Sequence, residues 1–189
     1  MSLAREVGRA IRSTLVLWLI VAIIYPLAMI GFAQIAFPYQ ANGSLIKNKE
    51  GKLVGSALIG QPFNSERYFN GRPSSVDYST NKNIGISGGS NLAPSNPELL
   101  TTIQKKMELL KQSQITPSAS LVYSSGSGLD PHLTPEETIA QIPRVAKARG
   151  LQPSQLEKLV LKNTDGRFLG IFGEPGVNIL KLNLALDQL

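Results

Sequence analysis

The sequence predicts an α+β domain, irregular in its alternation of strands and helices, held outside the cytoplasm behind a single N-terminal transmembrane helix. Three observations lead to this class. No charged residue occurs between Arg12 and Lys47, and Leu15 to Phe37 is the most apolar stretch of the 189 residues. Removing that stretch leaves about 150 residues of ordinary, mildly polar composition, enough for one real core. Strand-like and helix-like patterns then follow one another without the regular rhythm of βαβ units.

The span comes first in the chain. As a helix, 23 residues measure ~34 Å, against ~30 Å for the hydrocarbon core of a bilayer. Thirteen of them are Leu, Ile, Val or Phe, and together these favour insertion by ~4–8 kcal/mol. Leu15, Leu19 and Ile23 belong to this apolar surface, and Trp18, with Tyr39 beyond the span, lies near interface depth. Pro26, mid-span, removes a backbone donor and predicts a kink. Arg5, Arg9 and Arg12 precede the span and favour a cytoplasmic N-terminus. The expected organisation is a short cytoplasmic tail over 1–12, a transmembrane helix over 13–37 and an extracytoplasmic domain over 38–189. Two other readings compete with a permanent anchor. A buried core helix is at odds with so long a run that is apolar all round. A cleaved signal peptide finds a small-x-small site at Gly31-Phe32-Ala33, but the apolar run exceeds the usual 7–15 residues or so.

Lys52 to Ile59 reads as a strand entered through the turn at Asn48 to Gly51. From Asn64 to Pro97, 20 of 34 residues are Gly, Ser, Asn or Pro. The stretch also carries Tyr68, Phe69, Tyr78, Ile84, Ile86 and Leu92, which predicts an ordered loop packed on the core or on a partner. Asn96 caps a helix with Pro97 at its first position, and Leu99, Leu100, Ile103, Met107 and Leu110 give it one buried face. Ser120 to Ser124 is expected as a short strand. Thr134-Pro135-Glu136-Glu137 is a capping box opening a helix that stops at Gly150, with Pro143 kinking or restarting it. Pro153 to Lys162 is a third helix. Phe168 to Phe172 and Val177 to Leu184 are expected as two strands joined by the turn at Gly173 to Gly176, because Leu180, Leu182 and Leu184 alternate with Lys181 and Asn183.

The composition excludes several chemistries. Without cysteine there is no disulfide framework, thiolate metal site or cysteine nucleophile, and a single histidine argues against a histidine-based zinc site. The net charge of +6 is spread along the chain, with no Lys/Arg run dense enough for nucleic acid. Ser124 to His132 brings serine, aspartate and histidine close in sequence, but the spacing of a nucleophile elbow is lacking, and the stretch reads as a turn ended by Asp130-Pro131. No Walker-type loop occurs. Ile86-Ser87-Gly88-Gly89-Ser90 is glycine-rich, and by itself reads more readily as a turn than as a phosphate cradle. Glu136 and Glu137 read as capping residues, Asp77 and Asp165 as turn residues.

Several ordered motifs carry a resemblance. They are Gln40 to Ile46, Leu58-Ile-Gly-Gln61 with Phe63, Tyr68-Phe-Asn-Gly-Arg-Pro-Ser74, Ser87-Gly-Gly-Ser-Asn-Leu92 and Ser125 to His132. Gln141, Arg144-Val-Ala146, Ala148-Arg-Gly150, Val177-Asn-Ile-Leu180 and Leu182-Asn-Leu184 continue it. Together they resemble the C-subunit family of the Kdp potassium-transporting P-type ATPases, from the membrane segment to the C-terminus. The resemblance implies one N-terminal membrane helix, an exterior domain and no signal-peptide cleavage. It implies three partners: a channel-like potassium-binding subunit, a P-type ATPase subunit and a small single-helix subunit. The family is described as a catalytic chaperone raising the ATP affinity of the ATPase subunit. On that description Ser87, Gly88, Gly89 and Gln141 would assist nucleotide, with no stably bound cofactor and ATP shared with the ATPase subunit. In the family the Ser-Gly-Gly segment is likened to the Leu-Ser-Gly-Gly-Gln loop of ABC ATPases, which this sequence does not match at Ile86 or Ser90, and ATP lies on the cytoplasmic side. A stabilising or gating role at the outer mouth of the channel subunit is therefore preferred. Tyr68, Phe69, Arg72 and Pro73 are expected either at a partner contact or in the domain's own core. Outside the tail, 16 Lys/Arg face 12 Asp/Glu whose positions form no oxygen-rich cage, so the domain is expected neither to coordinate nor to concentrate potassium.

Overall fold

The computed structural model describes residues 2–80 and 85–189, so Ile84 lies outside the described residues. One apolar helix runs from Leu3 to Ala36, 34 residues with a mean hydropathy of 2.5 in its most apolar window. It is long and apolar enough to cross a membrane. It consists of α1 (Leu3–Leu19), a π turn (Ile20–Ile24) and α2 (Tyr25–Ala36). The proline-induced irregularity therefore takes the form of a widened turn just before Pro26. Proline lacks the N–H that would bond to the Ala22 carbonyl, and its ring needs room against that group, which a π turn provides. The helix also starts well before Leu15, where Arg9 pairs with Glu6 one turn earlier at 2.9 Å. A short α3 (Pro38–Ala41) follows.

The chain divides into two compact units, Met1–Leu45 and Ile46–Leu189. A two-stranded sheet pairs β1 (Leu45–Lys47) with β2 (Leu53–Ser56). Asn48 folds the intervening turn by accepting from the N–H groups of Glu50 and Lys52. β2 is half the expected strand, because the Ser56 hydroxyl accepts from Leu58 N–H and turns the chain at once.

The core is organised by a second sheet of very short strands, β3 (His132–Leu133), β4 (Thr164–Asp165) and β5 (Gly176–Asn178), in the order β3-β5-β4 and antiparallel throughout. Leu133 and Thr164 both face Val177 across it. Against β5 pack α6 (Pro135–Ile139) and α9 (Ile179–Leu186), while α8 (Pro153–Lys162) packs on both of these helices and on α7 (Ile142–Arg149). Val145, Leu156, Val160, Val177, Leu182 and Leu186 form the centre, and Phe69 enters it from the long loop. Thr134 and Glu137 complete the expected capping box, Pro143 restarts the helix as α7, and Gly150 closes it at φ +70°, where a side chain would be strained.

Four expectations are corrected. The helix capped by Asn96 is present as α4 (Pro97–Gln112), but its apolar face is only half-buried and Leu100 is exposed. Residues 120–124 form no strand. A single turn, α5 (Ala119–Val122), is enough to bury Leu121 and Val122. Phe168 to Phe172 is a closed turn whose two ends pair with each other rather than with the sheet. The run from Val177 to Leu184 leaves the sheet at Asn178, whose side chain accepts from Lys181 N–H and caps α9. Leu180 and Leu182 are buried there on different sides of a helix.

Candidate functional site

The centre of the long loop, Tyr68 to Arg72, is fastened to the domain by buried carboxamides. Asn183, on α9, accepts from Phe69 N–H and donates to Phe69 C=O, both at 2.9 Å. Gln141, at the start of α7, accepts from Asn70 N–H at 2.8 Å and donates to Asn70 C=O at 3.0 Å. Two consecutive loop residues thus find the bonds a neighbouring strand would give them, from side chains of two different helices. A loop backbone could not otherwise be buried beside Phe69 without leaving polar groups unpaired. Arg144 adds bonds to the carbonyls of Glu66 and Tyr68 and to the Asn70 and Gln141 side chains. Burial lowers the pKa of its guanidinium, an effect opposed by Glu66. Arg149 stacks 4.7 Å above the Tyr68 ring and bonds to Asp187, which also accepts from the Tyr68 hydroxyl.

Beyond this clamp, Arg72 pairs with Asp130 at 2.9 Å, and Asp130 also accepts from His132 N–H. Asp130 is therefore an ion-pair residue as well as the end of a turn. Tyr78 is buried against the same pair. Its hydroxyl donates to Arg72 C=O, and burial, reinforced by the Asp130 charge, pushes its pKa up to about 12. Asp77, Tyr78 and Ser79 all adopt positive φ, a strained left-handed turn that Ser74 holds by accepting from Tyr78 N–H while donating to Gly128 C=O.

The Ser87-Gly88-Gly89 segment lies on the Ser125–Gly128 loop. Gly88 N–H and the Ser87 hydroxyl both donate to Ser127 C=O, at 2.8 and 3.0 Å, and Gly89 comes so close to the Gly126 carbonyl that an added methyl would lie 3.1 Å from it. Gln141 lines a cavity of about 390 Å³ between the loop and α4, together with Arg72, Tyr78, Lys106 and Arg144. Ser87, Gly88 and Gly89 are not among that cavity's lining residues. A second cavity, of about 330 Å³, is lined by Asp130, His132, Glu137, Asp165 and Glu174. Glu137 is committed elsewhere. Burial raises its pKa, but hydrogen bonds from Ser118, Ser120 and Thr134 outweigh that and leave the carboxyl below its usual range. Among the described residues no group of three His, Asp or Glu is placed to hold a metal ion.

All four residues expected at a partner contact or in the core are used internally. Phe69 is core, Tyr68 and Arg72 are paired as described, and Pro73 C=O accepts from Ser125 N–H. Of the residues expected to anchor the chain, Leu15, Trp18 and Leu19 lie in α1, Ile23 in the π turn and Pro26 at the start of α2. Sequence reasoning missed Asn183, Asn178, Arg149 and the role of Asp130. The available sign was a carboxamide inside an apolar run, at Asn178 and Asn183.

Comparison with known proteins bears on the whole chain. Residues 7–188 match the family described as KdpC: K+-transporting ATPase, c chain. The potassium-transporting ATPase KdpC subunit of Microcystis aeruginosa is 61% identical, with 100% of this chain and 98% of the relative covered. KdpC subunit 1 of Nostoc sp. is 60% identical over the same shares. The KdpC subunit of Gloeobacter violaceus is 51% identical, covering 99% of this chain and 98% of its own.

Proposed function

The chain belongs to the KdpC family, the c chain of K+-transporting ATPases, and from that premise we propose that it is a non-catalytic, membrane-anchored subunit that stabilises or regulates the channel-like and ATP-hydrolysing subunits. The observation that carries this reading is the full-length likeness to chains named as subunits of that pump. The helix Leu3–Ala36 serves as a single-pass anchor in the cell membrane, and Arg5, Arg9 and Arg12 favour a cytoplasmic N-terminus with the folded unit outside.

A direct nucleotide role for Ser87, Gly88, Gly89 and Gln141 has less support than a structural one. Gln141 commits both ends of its carboxamide to Asn70, and the Ser-Gly-Gly segment is fastened to Ser127. A contact with ATP would also need the domain on the cytoplasmic side. The unit works instead through protein contacts, and it neither coordinates nor concentrates potassium.

The test is reconstitution. The purified chain alone should hydrolyse no ATP and move no potassium, whereas omitting it from the co-expressed pump should lower potassium-stimulated ATPase activity. Activity of the isolated chain would support a self-contained hydrolase and end this reading. Neutralising Asp77, Asp130 and Asp165 one at a time should leave the apparent potassium affinity of the assembled pump unchanged. A large fall with assembly intact would show a direct role in ion capture.

A further inference from the structure

The apolar helix Leu3–Ala36 is longer than a membrane needs. At 1.5 Å per residue its 34 residues measure ~51 Å, against ~30 Å of hydrocarbon. Its charged residues, Arg5, Glu6, Arg9 and Arg12, all lie in its first ten positions, so the surplus is at the N-terminal end. The three arginines stand at i, i+4 and i+7, within about 60° of one another around the axis. Leu3, Val7 and Ile11 take the opposite side. Topology asks only that basic residues flank the span and does not require them on one face. Gathering them has a cost, because like charges at i, i+3 and i, i+4 repel. An anion seated on the stripe removes that cost. All three arginines are exposed. Glu6 stands off the stripe and pairs with Arg9, and among the described residues no carboxylate pairs with Arg5 or Arg12.

We propose that Arg5, Arg9 and Arg12 form a site for the phosphodiester of an anionic phospholipid in the cytoplasmic leaflet. The proposal rests on the reading of the helix as a single-pass anchor with a cytoplasmic N-terminus. Arg12 lies one turn before Leu15, where the apolar run opens, and Arg5 lies ~10 Å farther along the axis. The stripe therefore crosses the headgroup layer, ~5–8 Å deep on each side of a bilayer, and long side chains can reach back into it. The guanidinium fork matches phosphate with two parallel hydrogen bonds, which an ammonium cannot do. The stripe is wholly arginine, whereas the first basic residues beyond the span, Lys47, Lys49 and Lys52, are all lysine. An acidic protein surface is the poorer match, because helix continuity holds the stripe at the depth where lipid phosphates are the abundant anions.

The full chain is purified in detergent and reconstituted into phosphatidylcholine vesicles in which either a minor share of phosphatidylglycerol or the phosphatidylcholine itself carries brominated acyl chains. Bromine quenches only nearby tryptophan. Val16 continues the arginine face one turn below Arg12, while Trp18, the single tryptophan, lies on the other side. Val16→Trp with Trp18→Phe therefore reports lipid held on the stripe, and the unaltered chain reports lipid away from it. The first should favour phosphatidylglycerol over phosphatidylcholine about fivefold, and Trp18 should show little preference. Adding Arg5→Gln, Arg9→Gln and Arg12→Gln should abolish the preference at position 16, and lysine at the same three positions should leave less than half of it. Both leaflets have the same composition, so insertion in either orientation gives the same readout. Equal preference at positions 16 and 18, its survival in the glutamine variant, or its full retention with lysine would show diffuse attraction in place of a site and overturn the proposal. No preference at either position would leave the stripe to a protein surface and overturn it as well, while a chain that still floats with neutral vesicles keeps the anchor reading. Failure to float with them would end the anchor reading and the site with it.

Discussion

Replacing Asn183 by leucine tests whether the carboxamide clamp is what holds the long loop. Leucine has the same branching and number of side-chain heavy atoms, so no cavity is created, but its methyl groups are bulkier and add some crowding to the loss of the polar contacts. It leaves both the N–H and the C=O of Phe69 buried without partners. Each such group costs about 1–3 kcal/mol, which gives a loss of about 4 kcal/mol. For a folded unit of about 150 residues this lowers the melting temperature by ~8–16 °C. Near-ultraviolet circular dichroism of the full chain in detergent, to which Tyr68 and Tyr78 contribute, follows the transition. Asn183→Asp supplies a second arm. It keeps an acceptor for Phe69 N–H but turns a carboxylate toward Phe69 C=O, so it should be as damaging at neutral pH and partly recover in acid, where the protonated group donates again. If Asn183→Leu melts within about 2 °C of the unaltered chain, the loop is held by packing alone and the polar argument is wrong.

Three further expectations follow from other parts of the structure. Glu137→Gln should be less stable than the unaltered chain at pH 7. The depressed folded pKa means that Glu137 contributes fully above its unfolded value of about 4.3 and loses that contribution as pH falls through the folded value, so urea titrations of the two proteins should converge in acid. Gly60→Ala would press a methyl into the Tyr78 ring and place it 2.7 Å from the Asp130 carbonyl. It should cost ~1–3 kcal/mol by overpacking, whereas Gly85→Ala, with open space around it, should be close to neutral by the same thermal melt. Leu19→Lys with Ile23→Lys adds ~5–7 kcal/mol to insertion, and alkaline extraction of membranes should then release the chain.

How far the sequence could be read depended on the range of the forces involved. Helix starts were legible at Asn96, Thr134 and Pro153 because a cap or an N-terminal proline acts within one turn, and the apolar helix was legible because composition alone announces it. α9 was not. A short helix buried on several sides has no polar face, so Leu180, Leu182 and Leu184 imitate strand alternation, and only Asn178 as a cap betrays the helix. The turn at 168–172 misled for a related reason: its residues have strand propensity but bond to one another rather than to the sheet. The clamp at Phe69 and Asn70 left no local pattern beyond the carboxamide of Asn183 inside an apolar run, since its partners lie 114 and 71 positions away.

Those distances along the chain govern the order of folding. Asn178 bonds to Ala57 C=O across 121 positions, Asn183 to Phe69 across 114, and Asp187 to Tyr68 across 119. Residues 178–187 are therefore the ones that fix the early part of the folded unit in place. Local pieces such as α4 and α8 can form during synthesis, but the loop from Asn64 onward lacks its C-terminal fastenings until α9 emerges. Loop-closure entropy must be met before such distant contacts return anything, so the unit should mature late and all at once. A chain ending just before Asn178 would keep most of its residues and lose its fold, while the apolar helix at the other end is complete early. Until α9 is made, the chain thus carries a finished apolar helix and an unfinished folded unit, with residues 178–187 acting as the latch.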